Sequence, residues 1–173
     1  CIGQTALLTA SGATSYSWSN GETTSSILVS PSQSTTYVVA GSALGCTSNE
    51  TKATVTVNAI PVISVRDTTI CAGQTALLSA SGATTYSWSN GETTNIILVN
   101  PSQSTTYSVV GNTLGCVSAE IKATVTVNPI PVILVNDTTI CAGQTALLSA
   151  SGATTYAWST GETTSRSVER RVG

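Results

Sequence analysis

Residues 71–94 read CAGQTALLSASGATTYSWSNGETT. Inside that string, 74–80 (QTALLSA) is a short apolar run, bounded by Gly73 on one side and by Ser81-Gly82 on the other. Next, 85–89 (TYSWS) alternates, putting Tyr86 and Trp88 on one face and Ser87 and Ser89 on the other, the period-two pattern of a strand with one buried side. Asn90-Gly91 follows directly and predicts a type I′ hairpin, since both turn positions favour positive φ. Further strands are expected at Ile96–Val99, closed by Asn100-Pro101, at 105–110 (TTYSVV) and at 121–127 (IKATVTV). The segment 132–135 (VILV), preceded by 128–131 (NPIP), reads as a leading strand or sheet edge.

The opening string is not unique. Nearly the same residues begin at Cys1 and again at Cys141, a period of 70, and 54 of 70 positions are identical between 1–70 and 71–140. The third copy matches the second at 22 of 24 positions up to Thr164, then departs into SRSVERRVG. That tail holds Arg166, Glu169, Arg170 and Arg171, four of the 14 charges in the chain, so it reads as foreign to the repeat. Six or seven short strands per period, regular turn signals and no helical periodicity predict an all-β fold. The expected form is tandem immunoglobulin-like antiparallel β-sandwich modules of 70-residue period. Pro-containing punctuation at 58–61 and 128–131 divides the chain into three: 1–58, a module lacking its leading strand; 59–128, complete; and 129–173, truncated or divergent at its C-terminal side. Linkers of about four residues stiffened by Pro predict head-to-tail stacking. With Cys1 where an initiator Met would stand, the chain reads as a window cut from a longer exported protein, or as a mature fragment.

Composition narrows the function. Thr (31) and Ser (25) make up 56 of 173 residues, and only 14 residues are charged, for a net charge of -2. There is no His, so neither a Ser-His-Asp nor a Cys-His pair can form, and a His-ligated zinc site is excluded. Six cations provide no basic footprint for nucleic acid, and no apolar run nears the ~20 residues of a membrane span. Acidic residues are too few and too scattered for calcium, which takes about six to eight oxygens. No cofactor and no metal are expected, and the chain does not read as an enzyme. Near-identity of neighbouring copies favours reach or multivalency over a single catalytic constellation.

Cysteines fall at 1, 46, 71, 116 and 141, two per period and 45 residues apart. Cys1–Cys46 and Cys71–Cys116 are the natural pairs within a copy, leaving Cys141 without a partner in this chain; Cys46–Cys71, across the boundary, is the alternative. Closing a 45-residue loop contributes about 4 kcal/mol in the chain-entropy model, useful to a sandwich with a small core. Disulfides imply an oxidising compartment.

These residues carry a resemblance. The sequence from Ile70-Cys71 to Gly82, then 86–94, 101–109, Gly115-Cys116 and 125–131, resembles the Ig-like and PKD-like repeats of very large secreted surface proteins of Bacteroidota. It covers the chain up to Thr164. The resemblance implies an extracellular, elongated protein that serves as stalk, adhesin or filament material, exported by a type IX pathway. It also implies O-glycosylation at Asp-Thr-Thr, here at Thr68 and Thr138, for which the competing reading is an Asx turn at Asp67. Two N-x-S/T sequons, at Asn49 and Asn136, are further glycan candidates, though neither recurs in the repeat.

A module with one Trp and no Phe needs that Trp inside, so Trp18, Trp88 and Trp158 are expected in the cores. Tyr37 and Tyr107, in PSQSTTY, look like the corner tyrosine of a late sandwich strand. The expected function is a structural extracellular stalk or filament, glycosylated, self-associating with copies of itself and closing open sheet edges by strand exchange. The alternative is an adhesin array that binds carbohydrate or a cell surface through loops such as 111–120 (GNTLGCVSAE).

Overall fold

A computed structural model describes residues 1–170, and every regular element among them is a β-strand. The first repeat contributes β1 (Ala6–Thr9), β2 (Ser15–Trp18), β3 (Ser26–Val29), β4 (Thr35–Ala43), β5 (Cys46–Thr47) and β6 (Thr51–Val55). The second contributes β7 (Thr68–Cys71), β8 (Ala76–Ser79), β9 (Thr85–Trp88), β10 (Ile96–Val99), β11 (Thr105–Thr113), β12 (Cys116–Val117) and β13 (Ile121–Asn128). The third contributes β14 (Leu134–Val135), β15 (Thr145–Ser151) and β16 (Arg166–Arg170).

The second repeat shows the complete sandwich. One sheet pairs β11 with β9, β12 and β13, and β13 with β7; the other pairs β8 with β10. Both β8 and β10 alternate buried and exposed positions, which aims Leu78, Ile97 and Val99 at the first sheet. There they meet Trp88, Val109 and Val125 in one cluster. Burial of these large side chains contributes about 1.5–3 kcal/mol each and is the main force holding the two sheets together. Trp88 is 3% exposed and its Nε1 still donates to the Thr94 carbonyl at 2.9 Å, so the indole is buried without leaving its N–H unpaired. On the outer face, Thr106 and Thr124 hydroxyls meet at 3.0 Å, as Thr36 and Thr54 do at 2.9 Å, so part of the Thr content is cross-strand pairing on a neutral surface. The pairing of β7 with β13 is parallel, while the other strand pairs are antiparallel.

The Asn90-Gly91 turn differs from expectation. Only Gly91 has a positive φ (88°), and the two backbone bonds that close the turn run from Gly91 N to Trp88 O and from Trp88 N to Glu92 O, both at 2.9 Å. Asn90 acts through its side chain, whose Oδ1 accepts from Glu92 N at 3.2 Å. No hairpin follows, because β9 pairs with β11 whereas β10 crosses to the opposite sheet and pairs with β8. The two-residue turn with both φ values positive lies instead at Leu114-Gly115 (52° and 80°), between the paired residues Thr113 and Cys116. Leu44-Gly45 repeats it with 52° and 79°. A leucine in this region is an uncommon, strained choice.

A hydroxyl-to-backbone lock is made by the tyrosine of β9. Tyr86 Oη accepts from Ala83 N at 2.9 Å and donates to Ala83 O at 3.0 Å, and Tyr16 and Tyr156 repeat this with Ala13 and Ala153. Tyr37 and Tyr107 sit half-buried in β4 and β11 against their cores.

In the third repeat the tail takes part in the sheet. β16 pairs with β15 in the register that β10 keeps with β8, Arg166 opposite Ser149 as Ile96 is opposite Ser79. Its sequence is out of phase with that register. Ser167, 1% exposed, takes the inward position of Ile97, with its hydroxyl 3.0 Å from that of Thr160, while Val168 faces solvent. Trp158 is half-buried, unlike Trp18 and Trp88. Arg171, Val172 and Gly173 lie outside the described residues.

Candidate functional site: the junction between repeats

The cysteine pairing expected within each copy is corrected by the structure. Cys1 is bonded to Cys116, a separation of 115 residues, with their Cα atoms 5.5 Å apart, while Cys46, Cys71 and Cys141 are free and exposed. The strand register explains why Cys71 and Cys116 do not meet. Cys71 lies beside Asn128 at the far end of β13, whereas Cys116 lies in the hairpin beyond the Ile121 end. Seven residues of extended chain are about 24 Å, far beyond the ~7 Å Cα limit for a disulfide. The two cysteines of one module therefore mark its opposite ends. The bridge joins the trailing end of one module to the leading end of the next.

Hydrogen bonds extend the joint. Asn58, just past β6, donates from Nδ2 to the Leu114 carbonyl at 3.3 Å, and its own carbonyl accepts from Ile2 N at 3.2 Å. That carbonyl lies 3.7 Å from Cys116 Sγ, and Cys116 is 0% exposed. The β11–β12 hairpin, read from sequence as a loop free for binding, here presents Leu114 and Cys116 to the preceding module. Ser118 braces it, with Oγ accepting from Gly111 N at 2.9 Å.

Beside the junction is a second feature, the seat of the leading segment. In the second module Ile63 is 7% exposed and belongs to the core, and Ser64 pairs with Ser81 alongside β8. Glycines make room for it. A Cβ on Gly111 would fall 2.6 Å from both Ala83 Cβ and Ile63 Cγ2, and one on Gly82 would collide with the Val62 carbonyl. In the first module the equivalent surface is an open cleft of about 520 Å³ lined by Ala10, Gly12, Ala13, Tyr16, Trp18 and Gly41, with Cys46 at its edge.

The glycan candidates are scattered. Thr68 is half-buried at the start of β7; Thr138, Asn49 and Asn136 are exposed. Asp67, the residue of the competing Asx-turn reading, makes a long-range contact: its Oδ1 accepts from Thr124 N at 2.8 Å, fixing β7 against β13. Among the described residues no three His, Cys, Asp or Glu side chains are grouped to hold a metal ion, and no helix is long and apolar enough to cross a membrane. The signal that sequence reasoning missed was Asn58, whose repeat partner Asn128 ends β13 in the same way, its carbonyl accepting from Ala72 N at 2.8 Å.

No family model matches the chain. No curated protein matches it. Among solved structures it is similar to the N-terminal eight Ig domains of Down Syndrome Cell Adhesion Molecule, at 16% identity and a TM-score of 0.36, over 90% of this chain and 26% of that one. The chain thus spans about a quarter of the length of that structure. The strand pairings, not this likeness, define what the chain is: a tandem array of Ig-like β-sandwich modules.

Proposed function

We propose that this chain is a structural extracellular protein, a stack of modules 1–58, 59–128 and 129–173 that builds a stalk or filament at or outside the cell surface. The observation that carries the reading is the junction: successive modules are joined end to end by Cys1–Cys116 and by Asn58 against Leu114. A covalent clip between neighbours suits a protein whose task is to hold length. The near-neutral Thr and Ser surface supports glycan decoration, because little charge repulsion otherwise keeps such rods apart. Thr138, Asn49 and Asn136 are the accessible candidates. Strand exchange between chains belongs to the same reading, as do Bacteroidota surface proteins as the source type. The adhesin reading is weaker, because the hairpin it would use faces a neighbour in the second module.

Imaging of native material with intact-mass measurement tests the proposal. Elongated particles with mass in excess of the polypeptide are expected. Compact globular particles of bare polypeptide mass would refute it, and specific hits on a glycan array would move the reading to an adhesin.

A further inference from the structure

We propose that two copies of this chain pair side by side through the outer face of the two-stranded sheet that recurs in each module. The second module's Leu77, Ile96 and Leu98 pack against the same three residues of the other copy. The end-to-end junction gives the stack its length, and this face gives it a neighbour.

A sheet with one buried face should turn polar residues to solvent on the other. The larger sheet of the second module does so, with Thr106 opposite Thr124 and Ser108 opposite Lys122 on its outer face. The two-stranded sheet does not. Leu77 stands opposite Leu98, both point outward, and Ile96 lies on the same face two residues before Leu98. The equivalent cross-strand pair is Leu7 with Leu28 in the first module and Leu147 with Val168 in the third. All seven side chains are 47–68% exposed and none belongs to either core cluster, so packing within the module does not require them to be apolar. In the third repeat the tail puts Ser167 where the core wants an isoleucine, yet it still sets Val168 on the outer face. The second module has one module before it and another after it in the chain, and its face is bare all the same.

Area, charge and spacing identify the occupant as a second copy. Leu77, Ile96 and Leu98 expose about 300 Å² of apolar surface, and the faces of the three modules together about 700 Å². A standard interface covers about 800 Å² per partner, a little over half of it apolar. One face is therefore too small to hold a partner, while the faces of successive modules acting together are large enough. β1, β3, β8 and β10 carry no charged side chain, so two copies of the face meet without repulsion and offer a charged partner nothing to pair with. Arg66, in the groove beside Leu77, stands at the rim. The face returns every 70 residues, and the partner that returns a matching face at the same interval is another copy of the chain.

The test is sedimentation velocity of the full chain over a wide concentration range. Cys46, Cys71 and Cys141 are exposed and are first alkylated, so that thiols cannot join the copies. A reversible dimer is expected. The double variant Leu77→Lys/Leu98→Lys should weaken pairing at least tenfold, as should Leu77→Glu/Leu98→Glu, and an equimolar mixture of the two variants should pair again. Thr106→Lys, on the opposite sheet, should leave pairing unchanged, and melting curves verify that each variant folds. A monomer at every concentration, undiminished pairing in the lysine variant, a mixture of variants that stays monomeric, or an equal loss in Thr106→Lys overturns the proposal. Elongated particles that stay monomeric refute the pairing and leave the stalk reading standing; compact particles that pair through Leu77 and Leu98 do the reverse.

Discussion

Replacing Cys1 by Ser and, separately, Cys71 by Ser distinguishes a bridge between modules from a bridge within one. In the structure Cys1 closes a loop of 115 residues with Cys116, whereas Cys71 is a free exposed thiol. The chain-entropy relation gives about 5 kcal/mol for a loop of that length, an upper figure because real bridges deliver about 2–4 kcal/mol. Cys1→Ser is therefore expected to cost about 2–4 kcal/mol and to separate the unfolding of the first two modules. Cys71→Ser, a surface substitution, should stay within about 0.5 kcal/mol. Urea titration followed by Trp fluorescence measures both, since Trp18 and Trp88 report one module each. Peptide mapping after Glu-specific cleavage should join 1–22 to 93–120 in the unmodified protein. If the pair were Cys71–Cys116, Cys71→Ser would cost about 4 kcal/mol for its 45-residue loop and peptide 51–92 would be the one joined to 93–120. Equal destabilisation by the two variants, or that peptide pair, would refute the reasoning.

Ile63→Ala should lower the stability of the second module by about 2–4 kcal/mol in the same titration and leave the first module's transition in place, because Ile63 is core only in the second. Gly111→Ala should cost about 1–3 kcal/mol by forcing a methyl against Ala83 and Ile63, and hydrogen exchange should show the 62–65 segment opening first. Tyr86→Phe removes the hydroxyl that both accepts from and donates to Ala83, leaving partly buried backbone groups unpaired; a loss of about 1–3 kcal/mol in thermal unfolding is expected.

The strands were legible because their period is. The alternation in 85–89 put Tyr86 and Trp88 inward, and β8, β10 and β13 fall where the apolar runs predicted. The turn was misjudged because Asn-Gly is a local preference, while the route of the chain is set by which sheet buries Ile97 and Val99. That demand sends β10 away from β9, and it leaves Leu114-Gly115, with a poorer dipeptide, to make the tight hairpin. The junction was hidden for a different reason. Repeats that share their residues do not say which copy supplies each half of a contact, and cysteine spacing counts residues along the chain but not height along the sandwich. Only the parallel pairing of β7 with β13, which fixes Cys71 at the Asn128 end, separates the two cysteines of a module. In the third repeat, the tail keeps the strand and loses the pattern, since backbone pairing tolerates a serine where packing wants an isoleucine.

The Cys1–Cys116 bond also decides how the chain answers tension. A chain pulled from its ends bears the pull through the sulfur bridge, so the backbone it encloses cannot pay out even if both cores melt. The 115-residue span between the bridged cysteines holds back about 390 Å of contour, at roughly 3.4 Å per extended residue. Force spectroscopy without reductant would record a short tether, and a reducing agent would release the missing length in one stride. Elasticity of the strand is then under chemical control: stiff where the surroundings oxidise, extensible where they do not.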